Sequence, residues 1–360
     1  MVAVAFLFTA CDDDSKTLSQ EQEIDMSDFY VYTDGDDGSV VKSANSKDKL
    51  KTCHTMNVLN RQLSENPGQA KKMYDIEYQT RKFLAAKGKP DKPGNGGGGN
   101  NDGGDDVDVA PIDDGLGIIK IPVHVNVLYS NSSQNVSDNQ IQAQIDVLNT
   151  DFRNNNSNIS MLPSGSTFVN DVTDTEIEFL FNASSDITRK STSISAWSTN
   201  DDMKKSSRGG IDPTSPNTTL NIWICNISGG ILGYAQFPGG PASTDGIVVA
   251  PQYFGTTGYV SAPFDGGRTA THEVGHYLNL RHIWGDGRCN RDDFVSDTPT
   301  SDRPNYGCPG YPTAHCRSTD MTMNYMDYTN DDCMNMYSEG QKTRMRAIFQ
   351  VGGPRETMAN

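Results

Sequence analysis

The chain has 360 residues, a formal net charge of −16 and a hydrophobic content of 35%. This acidic charge argues against a nucleic-acid partner, because phosphate binding needs clustered lysine and arginine, and the low hydrophobic content indicates that a sizeable part of the chain is linker or loop. No apolar run reaches about 18 residues, so the sequence predicts no membrane-spanning helix.

The N-terminal residues 1–11 carry a short apolar run, VAVAFLFTAC, that ends in Cys11 and is followed by three aspartates. The run resembles the end of a bacterial lipoprotein signal, which implies membrane attachment through a lipidated Cys11. It departs from that pattern because no positive region precedes the run and because Phe8 stands where leucine is usual. A merely hydrophobic tail is the alternative. Residues 12–45 are polar, acidic and aperiodic, and they are predicted to be disordered.

A basic helical segment is predicted at residues 46–88. Its apolar residues recur at helical intervals that Pro67 and Gly68 interrupt, which predicts two short helices. Residues 46–90 carry ten lysines and arginines against four acids, a net charge of +6, so the remainder of the chain carries −22. The next stretch, residues 89–116, is rich in glycine, aspartate and proline, and it predicts a flexible linker that is open to proteases.

The body of the chain, residues 117–352, has the pattern of an α+β domain. After the first strand, Ser137 and Asp138 cap a predicted amphipathic helix, and a Ser-x-x-Gln capping box opens a second helix at 338–350. Residues 283–337 are rich in glycine, proline, aspartate and cysteine, with little predicted regular structure. Strands are predicted at 118–129, 176–181, 220–225, 230–238 and 245–251. This order predicts a mixed sheet backed by helices.

The stretch THEVGHYLNLRH, residues 271–282, holds three of the six histidines of the chain. His272 and His276 are four residues apart, so on a helix they lie on one face and can direct both imidazoles at one ion. Imidazole nitrogen is a natural zinc ligand. Glu273 lies beside the first histidine, where its carboxylate can take a proton from a zinc-activated water and pass it to a leaving amine.

His282 can join this predicted site only if the helix stops. It lies six residues beyond His276, and a straight helix would carry it about 9 Å further along the axis. The chain must therefore turn back, which requires a residue that tolerates positive φ, and Asn279 is the expected helix stop. Three neutral imidazoles with an open fourth position are typical of catalytic zinc. The alternative is three core or surface histidines on a polar helix, which requires this spacing to arise by chance.

These residues resemble the metzincin signature HExxHxxGxxH, with Asn279 in place of the glycine. Metzincins also have a methionine turn beneath the zinc, and MTMNYMDYTNDDC, residues 321–333, matches it with Met326 as the turn methionine. Tyr328 matches a tyrosine whose phenol stabilises the tetrahedral oxyanion in several metzincins. Ordinary gap filling is the alternative for a methionine-rich loop.

The motifs HEVGHYLNLRHIWGDGRC, DDFVSDTP and MNYMDY together resemble the pappalysin family of metzincin zinc metalloproteases, over roughly residues 117–350 and more weakly 46–87. The resemblance implies a metzincin-type catalytic domain: a mixed twisted sheet with a backing helix, an active-site helix above, and a loop-rich, disulfide-stapled lower subdomain with a C-terminal helix. It also implies a small helical prosegment. Two crossed disulfides are implied, Cys289–Cys316 and Cys308–Cys333, although spacing alone does not decide the pairing.

A calcium site is implied in the loop RDDFVSDTP, residues 291–299. The loop combines acids and hydroxyls, and oxygen-rich loops of this kind hold Ca²⁺. The family resemblance points to a structural calcium with four expected ligands: Asp293, the carbonyl of Val295, Asp297 and Thr298. A solvated acidic turn is the alternative.

Cys53 stands in an otherwise cysteine-free basic segment. A thiolate is an excellent zinc ligand, and one from a prosegment can take the place of the water and silence the enzyme. The prosegments of the family look like this one, and cleavage in the linker would release it. The +6 segment is also expected to dock on the −22 body electrostatically. His54 is the competing ligand, and a stray thiol is the alternative.

Metzincins bind the peptide substrate extended along an edge strand above the zinc. The expected edge is GILGYAQFP, in which Gly233, Tyr234 and Ala235 would offer backbone hydrogen bonds. Asp331 and Asp332 follow the methionine turn, which in this fold forms the wall of the pocket for the residue after the scissile bond. An acid there is expected to favour arginine or lysine in the substrate.

The leading hypothesis is a bacterial zinc endopeptidase, secreted or anchored by lipid at the cell surface or outer membrane, made as a zymogen and monomeric. Its cofactors are Zn²⁺ and a structural Ca²⁺, and its partners are protein or peptide substrates. The alternative is a catalytically silent binding or adhesin protein that retains a metalloprotease fold, which would have no need of Glu273. A structural zinc protein is a third hypothesis, although structural zinc avoids an open coordination position.

Overall fold

The computed structural model describes residues 23–32, 53–86, 114–163 and 165–359, so the lipoprotein-like run with Cys11 and most of the predicted linker lie outside the described residues. The helices are α1 (Thr55–Glu65), α2 (Gln69–Ala86), α3 (Asp138–Phe152), α4 (Arg268–Tyr277) and α5 (Glu339–Ala347). The strands are β1 (Ile119–Tyr129), β2 (Ile177–Leu180), β3 (Ile187–Ser191), β4 (Leu220–Ile224), β5 (Gly233–Ala235), β6 (Ile247–Val249), β7 (Tyr306–Gly307), β8 (Ala314–His315), β9 (Ser318–Thr319) and β10 (Tyr328–Thr329). None of the described helices is long and apolar enough to cross a membrane.

A mixed sheet forms the centre of the body, in the order β2-β1-β4-β6-β5. β1 is long enough to pair with β2 along its first half and with β3 along its second half. All pairs are parallel except β5, which runs antiparallel to β6. β4 and β6 are buried along their whole length, as expected for parallel strands covered on both faces. The predicted α+β class with a mixed sheet is confirmed.

Two helices place the site against this sheet. In α3, the apolar face predicted from the sequence (Ile141, Ile145, Leu148 and Phe152) is buried, and the Ser137 hydroxyl accepts a hydrogen bond from the Gln140 amide at 3.2 Å. α4 lies against α3, β5 and β6. Every α4 residue from Thr269 to Tyr277 is buried, so its polar side chains lie in the interior and need partners there.

The region after α4 is loop-rich and is closed by two disulfides, Cys289–Cys316 and Cys308–Cys333. Both implied pairings are confirmed. The strands between α4 and α5 are short: β7 pairs with β10, and β8 pairs with β9. α5 begins with the predicted capping box, in which Ser338 and Gln341 bond each other reciprocally.

The two helices predicted for the basic segment form as α1 and α2, separated at Pro67 and Gly68. One face of α1 is buried on the body, where an apolar cluster joins prosegment residues to Phe237. The charge prediction holds only in part. Arg61 of the prosegment pairs with Asp201 of the body, as predicted. In the other pair the acid belongs to the prosegment and the base to the body, because the buried carboxylate of Glu77 pairs with Arg344 of α5.

Residues 23–32 correct the prediction of disorder over 12–45. They follow a defined course and contact both the prosegment and the body: Arg81 of α2 donates to the Asp25 carbonyl at 2.7 Å, and Arg281 donates to the Tyr30 carbonyl at 2.6 Å. The composition of this stretch predicts no core of its own. The order comes instead from arginine and aromatic partners that lie far away in the sequence.

Candidate metal centre

Three imidazoles of the body meet at one point. The Nε2 atom of His276 lies 3.1 Å from the Nε2 atoms of both His272 and His282, and all three residues are fully buried. Cys53 is the fourth member of this group of ligating side chains, whose ligand atoms all lie within 4.8 Å of one another. The sequence predicted all four residues, and the structure brings them together without His54.

The orientation of the first two rings is set by backbone carbonyls. Nδ1 of His272 lies 2.7 Å from the Tyr325 carbonyl, and Nδ1 of His276 lies 2.8 Å from the Leu280 carbonyl. A carbonyl oxygen can only accept, so each Nδ1 carries the proton and each Nε2 presents a lone pair. The two rings are therefore held as neutral ligands with their lone pairs directed at the shared point.

His282 is oriented by two residues that the sequence analysis missed. Asp286 accepts a hydrogen bond from its Nδ1, which fixes the same tautomer. Trp284 stacks on the ring with centroids 4.3 Å apart and planes only 5° from parallel. An aspartate four residues after the third histidine was the available signal for the first of these contacts.

The donor set fits a divalent metal. The Nε2 atom of His276 lies 3.1 Å from each of the other two, and three acceptor nitrogens cannot hydrogen-bond one another, so a shared cation would satisfy all three in this buried position. Imidazole nitrogens and a thiolate are ligands of zinc, whereas calcium and magnesium take oxygen.

Asn279 stops the helix as predicted. α4 ends at Tyr277, and Asn279 adopts the left-handed conformation with φ of 76°. The Leu280 amide then donates to the Gly275 carbonyl at 2.9 Å, which turns the chain back on the helix. His282 reaches the other two histidines because of this reversal.

Met326 lies directly beneath the helix. A Cβ added at Gly275 would come within 2.4 Å of the Met326 sulfur, so only glycine lets the methionine turn approach at this point. The same turn supplies the Tyr325 carbonyl that orients His272. The predicted methionine turn is thus in contact with the metal-binding helix, and Gly275 is a further residue that the sequence analysis did not single out.

Glu273 lies beside the three imidazoles and is only 1% exposed to solvent. Its carboxylate accepts a hydrogen bond from the Thr55 hydroxyl at 2.7 Å, and the Cys53 sulfur lies 3.5 Å from the same oxygen. A Cβ at Gly233 would meet the Glu273 Cγ at 3.1 Å, so β5 closes over this carboxylate. Thr55 is a contact that the sequence analysis missed.

Cys53 occupies the position next to both Glu273 and Tyr328. The Tyr328 hydroxyl donates to the Cys53 carbonyl at 3.3 Å, and its ring centroid lies 4.9 Å from that of His282. Burial first, and then the charge of Glu273, raise the pKa of the Cys53 thiol well above its ordinary value. A metal ion at the shared point would oppose this effect, because it favours the thiolate.

In the described residues, the edge strand β5 is already hydrogen-bonded to the prosegment. The His54 amide donates to the Gly233 carbonyl at 3.1 Å, and the Ala235 amide donates to the Thr55 hydroxyl at 2.8 Å. The prediction that Tyr234 offers backbone hydrogen bonds to a substrate is wrong. Strand alternation turns its backbone groups toward β6, and its hydroxyl donates to Asp201 at 3.1 Å in the interior.

The two aspartates after the methionine turn differ. Asp331 is fully buried, and its carboxylate accepts from the amides of Gly266 and Arg268, at 2.9 and 3.1 Å, at the start of α4. This helix-start contact gives Asp331 a structural explanation. Asp332 is exposed, so it is the aspartate of the two that remains available for a substrate.

The predicted calcium loop is assembled only in part. The Thr298 hydroxyl lies 2.8 Å from both carboxylate oxygens of Asp293 and 2.9 Å from the Val295 carbonyl. Asp297 corrects the prediction, because its carboxylate accepts from the Ser338 hydroxyl and the Gly340 amide at the start of α5, both at 2.7 Å. Burial, and then the charge of Asp292, raise the pKa of Asp293 well above its ordinary value.

Comparison with known proteins agrees with this geometry. A family model described as pregnancy-associated plasma protein-A, peptidase family M43, matches residues 214–350. An extracellular metalloprotease of Arthroderma otae is 32% identical over 245 residues, which cover 65% of this chain and 78% of that protein. Extracellular metalloprotease 1 of Coccidioides posadasii is 40% identical over 155 residues, 41% of this chain and 54% of its own length.

Solved structures of Tannerella forsythia proteins are also similar. A promirolysin mutant superimposes with a TM-score of 0.71 at 39% identity, covering 86% of this chain and 97% of that chain. Mature mirolysin in complex with a cleaved peptide has a TM-score of 0.64 at 46% identity, covering 67% of this chain and 95% of that chain. The extent of these matches, added to the clustered imidazoles, shows that the chain is a metalloendopeptidase and belongs to the pappalysin family of metzincins.

Proposed function

We propose that the chain is a zinc-dependent endopeptidase made as a zymogen, in which His272, His276 and His282 hold the zinc and Glu273 is the general base. The observation that carries this proposal is the convergence of three Nε2 atoms, with that of His276 3.1 Å from each of the other two, beside one buried carboxylate. A catalytically silent adhesin has no need of that carboxylate.

When bound, zinc would supply Lewis-acid activation of the attacking water and of the scissile carbonyl. Glu273 takes a proton from the attacking water at its carboxylate and then gives the proton to the leaving amine as the peptide bond breaks. The Tyr328 hydroxyl donates a hydrogen bond to the oxygen of the scissile carbonyl as that oxygen gains negative charge. Burial of the site raises the strength of both contacts by excluding water.

Peptide substrates are held by the edge strand. The Gly233 carbonyl and the Ala235 amide point away from β6 and are the backbone groups that an extended peptide can use once the prosegment has left. The complex of mature mirolysin with a cleaved peptide supports a peptide as the substrate. Asp332, exposed after the methionine turn, would favour arginine or lysine after the scissile bond.

Latency follows from what the prosegment occupies. Cys53 lies with the three imidazoles, Thr55 hydrogen-bonds Glu273, and the Cys53 carbonyl accepts from Tyr328. The prosegment therefore takes the metal position, the base and the oxyanion donor together. Cleavage within residues 89–116 would separate it from the body.

Export of the protein is part of the proposal. Two disulfides are typical of an oxidising compartment, and the similar fungal proteins are named as extracellular. Attachment through a lipidated Cys11, a bacterial source and a monomeric state remain proposals that only the sequence pattern supports.

Calcium binding at Asp293, Val295 and Thr298 is proposed from a buried carboxyl whose neighbours are oxygen atoms. Calcium removal is expected to lower the thermal unfolding midpoint by several degrees, because about 1 kcal/mol corresponds to roughly 2–4 °C in a domain of this size. The measurement is a thermal melt of chelator-treated protein with Ca²⁺ or Mg²⁺ added back. A midpoint that does not respond to Ca²⁺ contradicts the site.

The processed chain, cut in the linker, is expected to cleave a denatured protein at discrete bonds. A zinc chelator should abolish the cleavage and added zinc should restore it, because the three imidazoles depend on the cation. Mass spectrometry of the products maps the cleaved bonds. Cleavage that survives zinc removal would overturn the proposed function, and equal cleavage before leucine and before arginine would remove the role given to Asp332.

A further inference from the structure

A group of arginines surrounds one phenylalanine on the body, outside the cleft. The guanidinium carbons of Arg281 and Arg344 lie 5.1 and 5.5 Å from the centroid of the Phe294 ring. Arg291 extends the group, since its guanidinium carbon lies 4.1 Å from the Tyr30 ring that packs on Phe294. We call this group the arginine site; it consists of Arg281, Arg291, Phe294 and Arg344. Such a positive group is notable on a body whose net charge is strongly negative.

In the latent chain, residues 23–32, EIDMSDFYVY, fill this site through the rings of Phe29 and Tyr30, whereas the Asp28 carboxylate pairs with Arg81 of α2. Tyr30 is the centre of the contact. Its ring lies 4.4 Å from the Arg281 guanidinium, and its carbonyl accepts from Arg281 at 2.6 Å. Its hydroxyl has two carbonyl acceptors within reach for its single proton, that of Asp292 at 2.8 Å and that of Gly285. Cation–π contacts and tyrosine hydroxyl bonds of this kind are typical of specific peptide recognition.

Loss of the prosegment would leave the arginines without these partners. Arg344 is 2% exposed and now binds both carboxylate oxygens of Glu77, which belongs to α2. Arg281 is 3% exposed, and its Nη1 atom has no hydrogen-bond partner in the described part of the chain even with Tyr30 in place. Release of residues 23–32 would also remove the Tyr30 ring and carbonyl from Arg281, and a peptide segment that offers a similar ring and carbonyl can replace them.

We propose that the arginine site of the processed enzyme is a docking site for tyrosine-bearing peptide segments of protein substrates. Residues 23–32 occupy it in the latent chain, and a segment of the same chemistry elsewhere in a substrate occupies it after processing. Arg281 directly precedes His282, so the docked segment is held close to the cleft, and its attachment raises the local concentration of the bond to be cut. The inference rests on the proposed function only for removal of the prosegment.

The first test is binding, and it does not depend on catalysis. The full chain is processed in the linker and titrated into a labelled peptide of sequence EIDMSDFYVY, with a scrambled peptide of the same composition as control. Fluorescence anisotropy should show at least about tenfold tighter binding of the parent peptide. The peptide variant Tyr30→Ala should lose that advantage, whereas Tyr30→Phe should lose only part of it, because its ring still faces the arginines. Equal affinity for the parent and scrambled peptides overturns the proposal.

The matching change on the protein is Arg291→Ala, because Arg291 is exposed and its loss does not disturb the interior. The control is Arg208→Ala, another exposed arginine that lies outside the site. We expect Arg291→Ala to weaken peptide binding by at least about fivefold and Arg208→Ala to leave it unchanged. An equal effect of the two variants would reduce the binding to general charge attraction and contradict the site.

The second test is kinetic. A cleavable peptide that carries EIDMSDFYVY on a flexible linker should show a KM at least about fivefold lower than one carrying the scrambled sequence, with kcat unchanged. Free EIDMSDFYVY should remove the difference. If the processed chain cleaves neither substrate, the proposed function fails and the binding assay still decides the docking site. Cleavage of both substrates with the same KM overturns the docking of substrates.

Discussion

Replacement of Glu273 by glutamine is expected to lower kcat/KM of the processed enzyme by about 10³-fold or more, at the upper end of the effect of losing a general base. Glutamine has the same shape and can still accept a hydrogen bond from a hydroxyl such as that of Thr55, which lies 2.7 Å away in the latent chain. It cannot accept a proton at neutral pH. The change therefore removes proton transfer and keeps the packing of β5 over the side chain.

The decisive measurement pairs kcat/KM on a short peptide with the zinc content and the thermal midpoint. Zinc content and midpoint should match those of the parent, because the three imidazoles and their Nδ1 partners are untouched. Glu356→Gln, the same chemical change at an exposed position, is the control and should keep full activity. If Glu273→Gln keeps more than about a tenth of the parent activity with zinc bound, Glu273 is not the base.

Local rules made much of the site predictable. The spacing of His272 and His276, the stop at Asn279 and the capping box at Ser338 each depend on residues within one or two helical turns, and the structure places each as expected. The methionine turn and the disulfides came from family resemblance, because they join residues that no short-range rule connects.

The features that the sequence did not predict depend on contacts between distant parts of the chain. β3, with the sequence ITRKS, carries no apolar alternation, and it becomes a strand only because the second half of β1 offers an unpaired edge. Asp297 lies in an acidic loop, yet its carboxylate accepts a hydrogen bond from the Gly340 amide at the start of α5. Tyr234 lies in the edge strand, yet its side chain faces the interior. Residues 23–32 have a disordered composition and gain order from distant arginines, Arg81 of α2 and Arg281 of the body.

The second large effect concerns latency. The full-length variant Cys53→Ala is expected to gain at least about tenfold in activity on a short fluorogenic peptide, since the loss of about 1.4 kcal/mol from the closed state shifts its population tenfold. The thiol is the prosegment's ligand atom in the group with the three imidazoles, so its removal weakens the contact that closes the metal position. Cys225→Ala is the matched control, because Cys225 is the other free and buried cysteine and should leave the chain latent.

The gain from Cys53→Ala should remain below the activity of the processed enzyme, because Thr55 still holds Glu273 and the His54 amide still bonds the Gly233 carbonyl. The double variant Cys53→Ala/Thr55→Val should therefore be more active than Cys53→Ala alone, since valine keeps the shape of threonine and removes the hydroxyl. If Cys53→Ala is as silent as the parent while the double variant is active, Thr55 and the strand pairing impose latency and the thiol does not. If both variants stay silent, docking of α1 and α2 over Phe237 is sufficient to close the cleft.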